Sequence, residues 1–159
     1  MRTPLAATLG LLLVLSFMHD TRAADAAPSD VVLGFWRTEN GDGVVELYPC
    51  DNQICGRLHW LKDEDIAHPS RDDQNPDPAR RRRPLCKLSF MGGFRNAGSG
   101  RYESGRVYNP SNGETYSAHM KLIDHDTLDM HGYVLTPFFG DSQIWKRTGP
   151  TPSCGAVGS

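Results

Sequence analysis

The sequence predicts an all-β protein, an antiparallel up-and-down barrel of about eight strands that follows an N-terminal signal peptide. Apolar residues alternate with polar ones at a period of two, which is typical of half-buried strands. The 16 glycines and 11 prolines interrupt the chain at short intervals and disfavour a helical bundle. Closing the sheet into a barrel removes the exposed edges that an open sheet of short strands would present.

Length and net charge limit the possible functions of the protein before any motif is considered. The 159 residues suit one domain rather than two separate cores. A formal net charge of -2 argues against a nucleic-acid partner, because binding phosphates needs a dominant basic face. Apolar residues make up 38% of the chain and charged residues 23%, which excludes wholesale disorder.

The N-terminal segment has the three parts of a secretory signal peptide. Arg2 precedes an apolar run over residues 5–18, and small residues follow near Ala23. The run is shorter than the about 20 apolar residues that a membrane-spanning helix needs. We therefore predict a signal peptide over residues 1–23, cleaved after Ala23, with cleavage after Ala26 as the alternative.

Export sets the expected domain organisation and location. Residues 24–31 form a polar lead-in, residues 32–148 the barrel with a long loop at 62–84, and residues 149–159 a flexible tail. No second apolar run of membrane length follows, so we expect no membrane span and a periplasmic or secreted protein.

Alternating stretches and turn residues place each strand in order. Residues 40–43, 51–53, 96–100 and 109–113 contain side chains that tolerate a positive φ or hydrogen-bond their own backbone. The predicted strands cover residues 32–38, 44–49, 54–61, 88–94, 101–108, 115–123, 128–134 and 143–148.

A turn centred on His125 fixes the register of one hairpin. A slip of one residue would break its apolar and charged matches together. Two facing imidazoles could bind a metal ion only with a third ligand, which no spacing supplies, so no metal site is predicted. The facing pairs are Met120 with Met130, Leu122 with Leu128, Lys121 with Asp129, and His119 with His131.

The four cysteines predict disulfides. Cys50 and Cys55 flank a short turn, and opposed strand positions fall within the about 4.4–6.8 Å Cα separation that a disulfide requires. A metal site would need a second pair of comparable spacing, which Cys86 and Cys154 do not form. We expect a Cys50–Cys55 bridge and, as the remaining pairing, Cys86–Cys154, which would tie the tail to the barrel.

The loop at 62–84 is nearly devoid of apolar residues, with acidic residues first and four arginines at 80–83. A connection longer than about 15 residues in a small β domain is usually functional or disordered. Its acidic half could pair with the arginines, or Arg80 and Arg83 could bind an anionic ligand, because guanidinium groups match carboxylates and phosphates.

Several short strings, taken in order and spacing, resemble the bacterial family known as domain of unknown function 2147. The resemblance covers about residues 32–147. Its strings are GFWRT at 34–38, VVELYPC at 44–50, CGRLHWL at 55–61, NPDP at 75–78, RPL at 83–85, GRVYNP at 105–110 with Gly113 and Tyr116, GY at 132–133 and WKR at 145–147.

The resemblance implies a lipocalin-like or fatty-acid-binding-protein-like barrel without an established activity. Gly34, Trp36 and Arg147 resemble the lipocalin closure, in which the arginine covers the indole by a cation–π contact worth about 0.5–2 kcal/mol. These residues and Trp145 are expected to be structural. The chain departs from the family pattern at Lys87, where glycine is common, and at His131, where arginine is common.

Barrels of eight strands either fill with side chains or hold one small ligand. We expect a small amphipathic or anionic ligand in an interior that aromatic and methionine side chains line. A cavity of at least about 300 Å³ would favour this hypothesis over a filled core. The predicted ligand-binding residues are Trp60, Arg80, Arg83, Tyr108, Tyr116, Met120 and Met130.

Two other functions stay open at this stage. One is a cell-envelope module that binds an unidentified protein through loop 62–84, and the other is an enzyme of unknown class. Ser117, His119 and Asp129 could be combined into a triad only on paper, because no nucleophile elbow, phosphate loop or zinc-protease motif is present. We predict a protein without catalytic residues and without a cofactor.

Overall fold

Eight antiparallel strands close into a barrel in the computed structural model, which describes residues 31–154. The predicted signal peptide, most of the predicted lead-in at 24–31, and residues 155–159 lie outside the described residues. Each strand pairs with its neighbours along the chain, and the first pairs with the last. The strands are β1 (Gly34–Arg37), β2 (Gly43–Cys50), β3 (Gln53–Leu61), β4 (Ser89–Gly98), β5 (Arg101–Asn109), β6 (Glu114–Asp124), β7 (Thr127–Tyr133) and β8 (Gly140–Thr148).

This architecture confirms the predicted up-and-down barrel, and every predicted strand is present with shifted ends. The largest shift is in β4, which continues to Gly98 because Asn96 and Gly98 still pair with β5. The turn that follows is therefore shorter than predicted, with positive φ at Ser99 and Gly100. The only helix within residues 31–154 is a 3₁₀ turn (Pro78–Arg80), and no helix there is long and apolar enough to cross a bilayer.

The predicted register of the β6–β7 hairpin is confirmed. Met120 faces Met130, and Lys121 faces Asp129 on the opposite side of the sheet. Met120 and Met130 are buried in the core, so the alternation correctly identified which face turns inward. The same register brings His119 opposite His131.

One half of the barrel is filled with side chains. Trp36, Phe94, Tyr102 and Met120 have almost no exposed surface. Gly105 shows how tightly this half packs, because the Phe94 ring occupies the space that a Cβ at Gly105 would need. We call this half, which contains the short β2–β3, β4–β5 and β6–β7 turns, the closed half.

Arg147 covers the end of the closed half. Its guanidinium carbon lies 4.2 Å from the centre of the Trp36 ring. Its Nη1 donates to the Leu33 carbonyl at 2.9 Å, and its Nε donates to the His125 carbonyl at 2.7 Å. One side chain therefore joins β1, the β6–β7 turn and β8 around a buried indole.

Both predicted disulfides are present. Cα separations are 5.9 Å for Cys50–Cys55 and 5.7 Å for Cys86–Cys154. The Cys154 amide also donates to the carbonyl of His59, and His59 Nε2 donates to the Thr151 carbonyl. Of the predicted flexible tail at 149–159, the part that reaches Cys154 is thus held against β3.

Candidate functional site

The two ends of the barrel differ in their connections. The closed half ends in tight turns, whereas the other end carries the loops at 38–42, 62–88, 110–113 and 134–139. We call the half beneath these longer loops the open half. Because antiparallel strands alternate in direction, every second connection of the chain meets at this end.

A cavity of about 640 Å³ occupies the open half. Apolar and aromatic side chains dominate its wall, and the loops at the open end form its mouth. The residues that line it are Thr38, Val45, Leu58, Phe90, Val107, Tyr108, Asn109, Pro110, Tyr116, Met130, Gly132, Tyr133, Val134, Phe139, Gly140, Asp141, Gln143 and Trp145.

Gly132 is one reason that the open half is not filled. It lines the cavity on β7, and a Cβ built on it would meet no atom within 4 Å. Leu128 and Met130, at the preceding positions on the same face of β7, are both buried. The chain thus omits a side chain at the height where the filled interior gives way to the cavity.

The polar groups of the cavity wall are mostly uncharged. Thr38, Asn109 and Gln143 supply hydroxyl and amide groups, and the indole Nε1 of Trp145 donates to Gln143 Oε1 at 2.9 Å. Asp141 is the single charged residue of the lining, and no lysine or arginine is part of it. The cavity therefore suits an apolar body with an uncharged or cationic polar end.

The structure brings three of the predicted ligand-binding residues together in this cavity, namely Tyr108, Tyr116 and Met130. Met120 lies instead in the closed half, where it is fully buried. Trp60 is absent from the cavity lining, and the Arg37 guanidinium lies 5.3 Å from its ring centre. A bulge at Val44 and Val45 shifts the β2–β3 register near Trp60, which a strict alternation does not anticipate.

Arg80 and Arg83 also lie outside the cavity lining. Arg80 is exposed and pairs with Asp77 at 3.2 Å. Arg83 binds the buried carboxylate of Asp72 through Nε at 2.8 Å and Nη2 at 2.7 Å. Of the two predicted alternatives, Arg80 and Arg83 both adopt the pairing with an acidic residue of the loop.

Asp72 is the centre of a network that fastens the long loop to β5. Its carboxylate has no exposed surface and accepts from Tyr108 Oη at 2.5 Å and Asn75 Nδ2 at 2.7 Å, in addition to Arg83. The Arg83 guanidinium also lies 5.7 Å from the centre of the Tyr108 ring. We call Asp72, Asn75, Arg83 and Tyr108 the loop clip.

Burial by itself would raise the pKa of Asp72. The hydrogen bonds from Tyr108, Asn75 and Arg83, with the charge of Arg83, outweigh that effect and hold the pKa below its ordinary value. Burial and the Asp72 carboxylate raise the pKa of Tyr108, so the phenol stays a donor. The clip is therefore a charged, fully bonded structural contact beside the cavity wall.

The facing histidines on β6 and β7 stack on each other. The ring centres of His119 and His131 are 4.8 Å apart, and His131 contacts Ser142 Oγ and the Pro137 carbonyl through its two nitrogens, each at 2.9 Å. Burial and His131 lower the pKa of His119, so this ring favours the neutral form. Over residues 31–154, no three His, Cys, Asp or Glu side chains are grouped for metal binding.

Comparison with known proteins adds a family and a fold. Residues 34–147 match the family described as "Uncharacterized protein conserved in bacteria (DUF2147)". No curated protein matches the sequence. Among solved structures, the chain is similar to protein HP1028 from the human pathogen Helicobacter pylori, which is described as belonging to the lipocalin family. The two share 20% sequence identity with a TM-score of 0.67, and the match covers 74% of this chain and 82% of that chain.

Proposed function

This chain belongs to the bacterial DUF2147 family, and we propose that it binds one small amphipathic molecule in the open half of its lipocalin-like barrel. The observation that carries the proposal is the cavity of about 640 Å³ with its mostly apolar wall. This volume is within the range of about 300–1,000 Å³ that is typical of small-molecule sites. It therefore favours ligand binding over a filled core.

The lining narrows the class of ligand. The sequence left an amphipathic and an anionic ligand open because Arg80 and Arg83 could have bound an anionic ligand. Neither arginine lines the cavity, and Asp141 is its single charged wall residue. A buried anion without a partner is costly, so we propose a ligand whose polar end is uncharged or cationic and lies toward the mouth.

The proposed site of action is the periplasm or the extracellular medium, after removal of residues 1–23. Two disulfides lie within the described residues, and such bonds persist mainly in oxidising compartments. The observed bridge from Cys86 to Cys154 is therefore consistent with export.

The open cavity favours ligand binding over the two other functions. Part of loop 62–84 is occupied by the loop clip, because Asp72 and Arg83 bind each other and Tyr108. A protein-interaction role for the exposed remainder of this loop stays a prediction. The expectation that the chain is not an enzyme also stays a prediction.

Competition with a neutral fluorescent probe tests the proposed ligand class. The purified protein is loaded with N-phenyl-1-naphthylamine, and dodecanol, dodecylamine or dodecanoate, which have alkyl chains of similar length, is then added as the competitor. We expect dodecanol and dodecylamine to bind at least about tenfold more tightly than dodecanoate, because the cavity offers an anion no cationic partner.

The Asp141→Asn variant is the matched control for the cationic ligand. Asp141 is exposed on β8 at the mouth, so its loss is expected to weaken dodecylamine binding and leave dodecanol binding unchanged. Preferential binding of dodecanoate would contradict the proposed polar end. Failure of all three amphiphiles to displace the probe would contradict the proposed site.

A further inference from the structure

The β7–β8 loop exposes an unusual amount of apolar surface beside the cavity. Residues 134–139 read Val-Leu-Thr-Pro-Phe-Phe and contain no charged side chain. The exposed fractions are 90% for Leu135 and 88% for Phe138, and Val134 and Phe139 are also more than half exposed. Apolar side chains exposed together usually mark an interaction site.

This loop has a defined conformation. The Val134 amide donates to the Phe139 carbonyl at 3.1 Å, and the Phe139 amide donates to the Thr136 carbonyl at 3.0 Å. His131 Nε2 donates to the Pro137 carbonyl at 2.9 Å and so fixes the loop from β7. Much of the backbone polarity of the loop tip is therefore satisfied within the protein, which favours placing it in an apolar medium.

The backbone of Leu135 is strained, and its exposed side chain makes no apolar contact that would offset the strain. Its φ is 63°, in the left-handed region that side chains other than glycine rarely adopt. This conformation holds an apolar side chain in water, where it gains no burial. Both costs are offset if the side chain enters an apolar medium when the protein is at work.

The loop is continuous with the cavity mouth. Val134 and Phe139 line the cavity, whereas Leu135 and Phe138 are absent from its lining. Apolar surface therefore runs from the cavity wall to the outer tip of the loop. Whatever covers the tip also lies against the mouth.

The size of this surface argues for a membrane rather than a protein partner. An aromatic side chain buries about 150–250 Å², so two phenylalanines and a leucine supply less than the about 800 Å² per partner of a stable protein interface. A bilayer interface can accept a small apolar insertion, and the uncharged loop brings no ionised group to desolvate.

We propose that residues 134–139 dock the open end of the barrel onto the surface of a lipid bilayer. Leu135 and Phe138 enter the boundary between headgroups and acyl chains, and His131 holds the loop in the inserted position. This orients the cavity mouth toward the membrane. The further consequence, exchange of the amphipathic ligand with the bilayer, rests on the proposed function.

Flotation with lipid vesicles tests the docking surface. The protein, purified after export, is mixed with phosphatidylcholine vesicles, with and without phosphatidylglycerol. We expect binding to both compositions, and a fall of at least about tenfold in the partition coefficient for the Leu135→Ser/Phe138→Ser variant, because each lost side chain removes apolar burial. The matched control is Val31→Ser/Ile123→Ser, since both side chains are exposed at the opposite, closed end of the barrel.

Each result separates this proposal from the proposed function. Leu135 and Phe138 do not line the cavity, so their double variant should still bind dodecanol. Vesicle binding that is absent, or equal in the loop variant and the wild type, overturns the docking surface. Concentration-dependent self-association that the loop variant abolishes, without vesicle binding, assigns the loop to a second copy and also overturns it. A wild-type protein that binds vesicles but does not bind dodecanol counts against the cavity only.

Discussion

Replacing Gly132 by Phe is expected to weaken dodecanol binding about a hundredfold while the barrel stays folded. A side chain at Gly132 extends into open space, because its Cβ would meet no atom within 4 Å. The ring would displace about four methylenes of the ligand, each worth about 0.8 kcal/mol, which corresponds to about 3 kcal/mol and hence to the stated loss of affinity. Probe displacement measures the dissociation constant.

Gly132→Ala is the matched control for this variant. Its methyl group fills little of a cavity of about 640 Å³, so affinity should change by less than about threefold. Circular dichroism and the free energy of unfolding should show both variants to be folded. Unchanged dodecanol binding by a folded Gly132→Phe protein would mean that the ligand occupies another site.

Replacing Asp72 by Ala is expected to lower the free energy of unfolding by about 3 kcal/mol. The variant leaves Arg83, Asn75 and Tyr108 without their shared carboxylate in a buried position. Removing one partner of a buried ion pair typically costs about 3–5 kcal/mol, and the Arg83 side chain, which is one-third exposed, recovers part of this by hydration. Denaturant unfolding measures the loss.

The neighbouring residue provides the control. Asp73 is exposed, so Asp73→Ala should leave the free energy of unfolding within about 0.5 kcal/mol of the wild type. Release of the loop should also speed trypsin cleavage after Arg80, Arg81 and Arg82 in the Asp72 variant alone, because cleavage needs a mobile backbone. Equal stability and equal trypsin resistance of the two variants would show that the loop clip does not hold the loop.

The loop clip also predicts how stability depends on pH. Because the pKa of Asp72 is lower in the folded protein than in the unfolded chain, its contribution is fully present above the unfolded value of about 3.9. It is lost as the pH falls through the folded value. Unfolding measured from pH 6 downward should therefore show a smaller acid-induced loss for Asp72→Asn than for the wild type, below about pH 4.

The strands and their order could be predicted because the signal is local. Alternation decides which face of a strand turns inward, and turn residues decide where the chain reverses. The β6–β7 register followed from the same reasoning, because a slip would have moved Met120 and Met130 out of the core. The disulfide from Cys50 to Cys55 followed from a single turn.

The candidate site was predicted only in part. The alternation of apolar and polar residues shows which side chains point into the barrel, but it does not show how far along the barrel axis each one lies. Met120 and Met130 are equivalent in pattern, yet only Met130 reaches the cavity. The role of Gly132 depends on what lies across the barrel, as its contrast with Gly105 shows. The available signal was a glycine at an inward position of a strand, which sequence reasoning read only as part of a family string.

The loop clip and the exposed loop depend on long-range contacts. Asp72 and Tyr108 are far apart in the chain, so no local spacing assigns Arg83 to them rather than to a ligand. The predicted strand 128–134 also ended inside the apolar run that continues to Phe139. The signal for that loop was an uncharged apolar run containing a proline, directly after a strand.

The central claim is that the open half of the barrel holds a small amphipathic molecule. Native mass spectrometry of the protein purified from its native source, compared with the Gly132→Phe variant prepared in the same way, tests it most directly. We expect the wild type to carry one bound molecule, or to take up one dodecanol on addition, and the variant to do neither. A wild type that stays unliganded in the presence of dodecanol, or a folded variant that keeps the same bound mass, would contradict the claim.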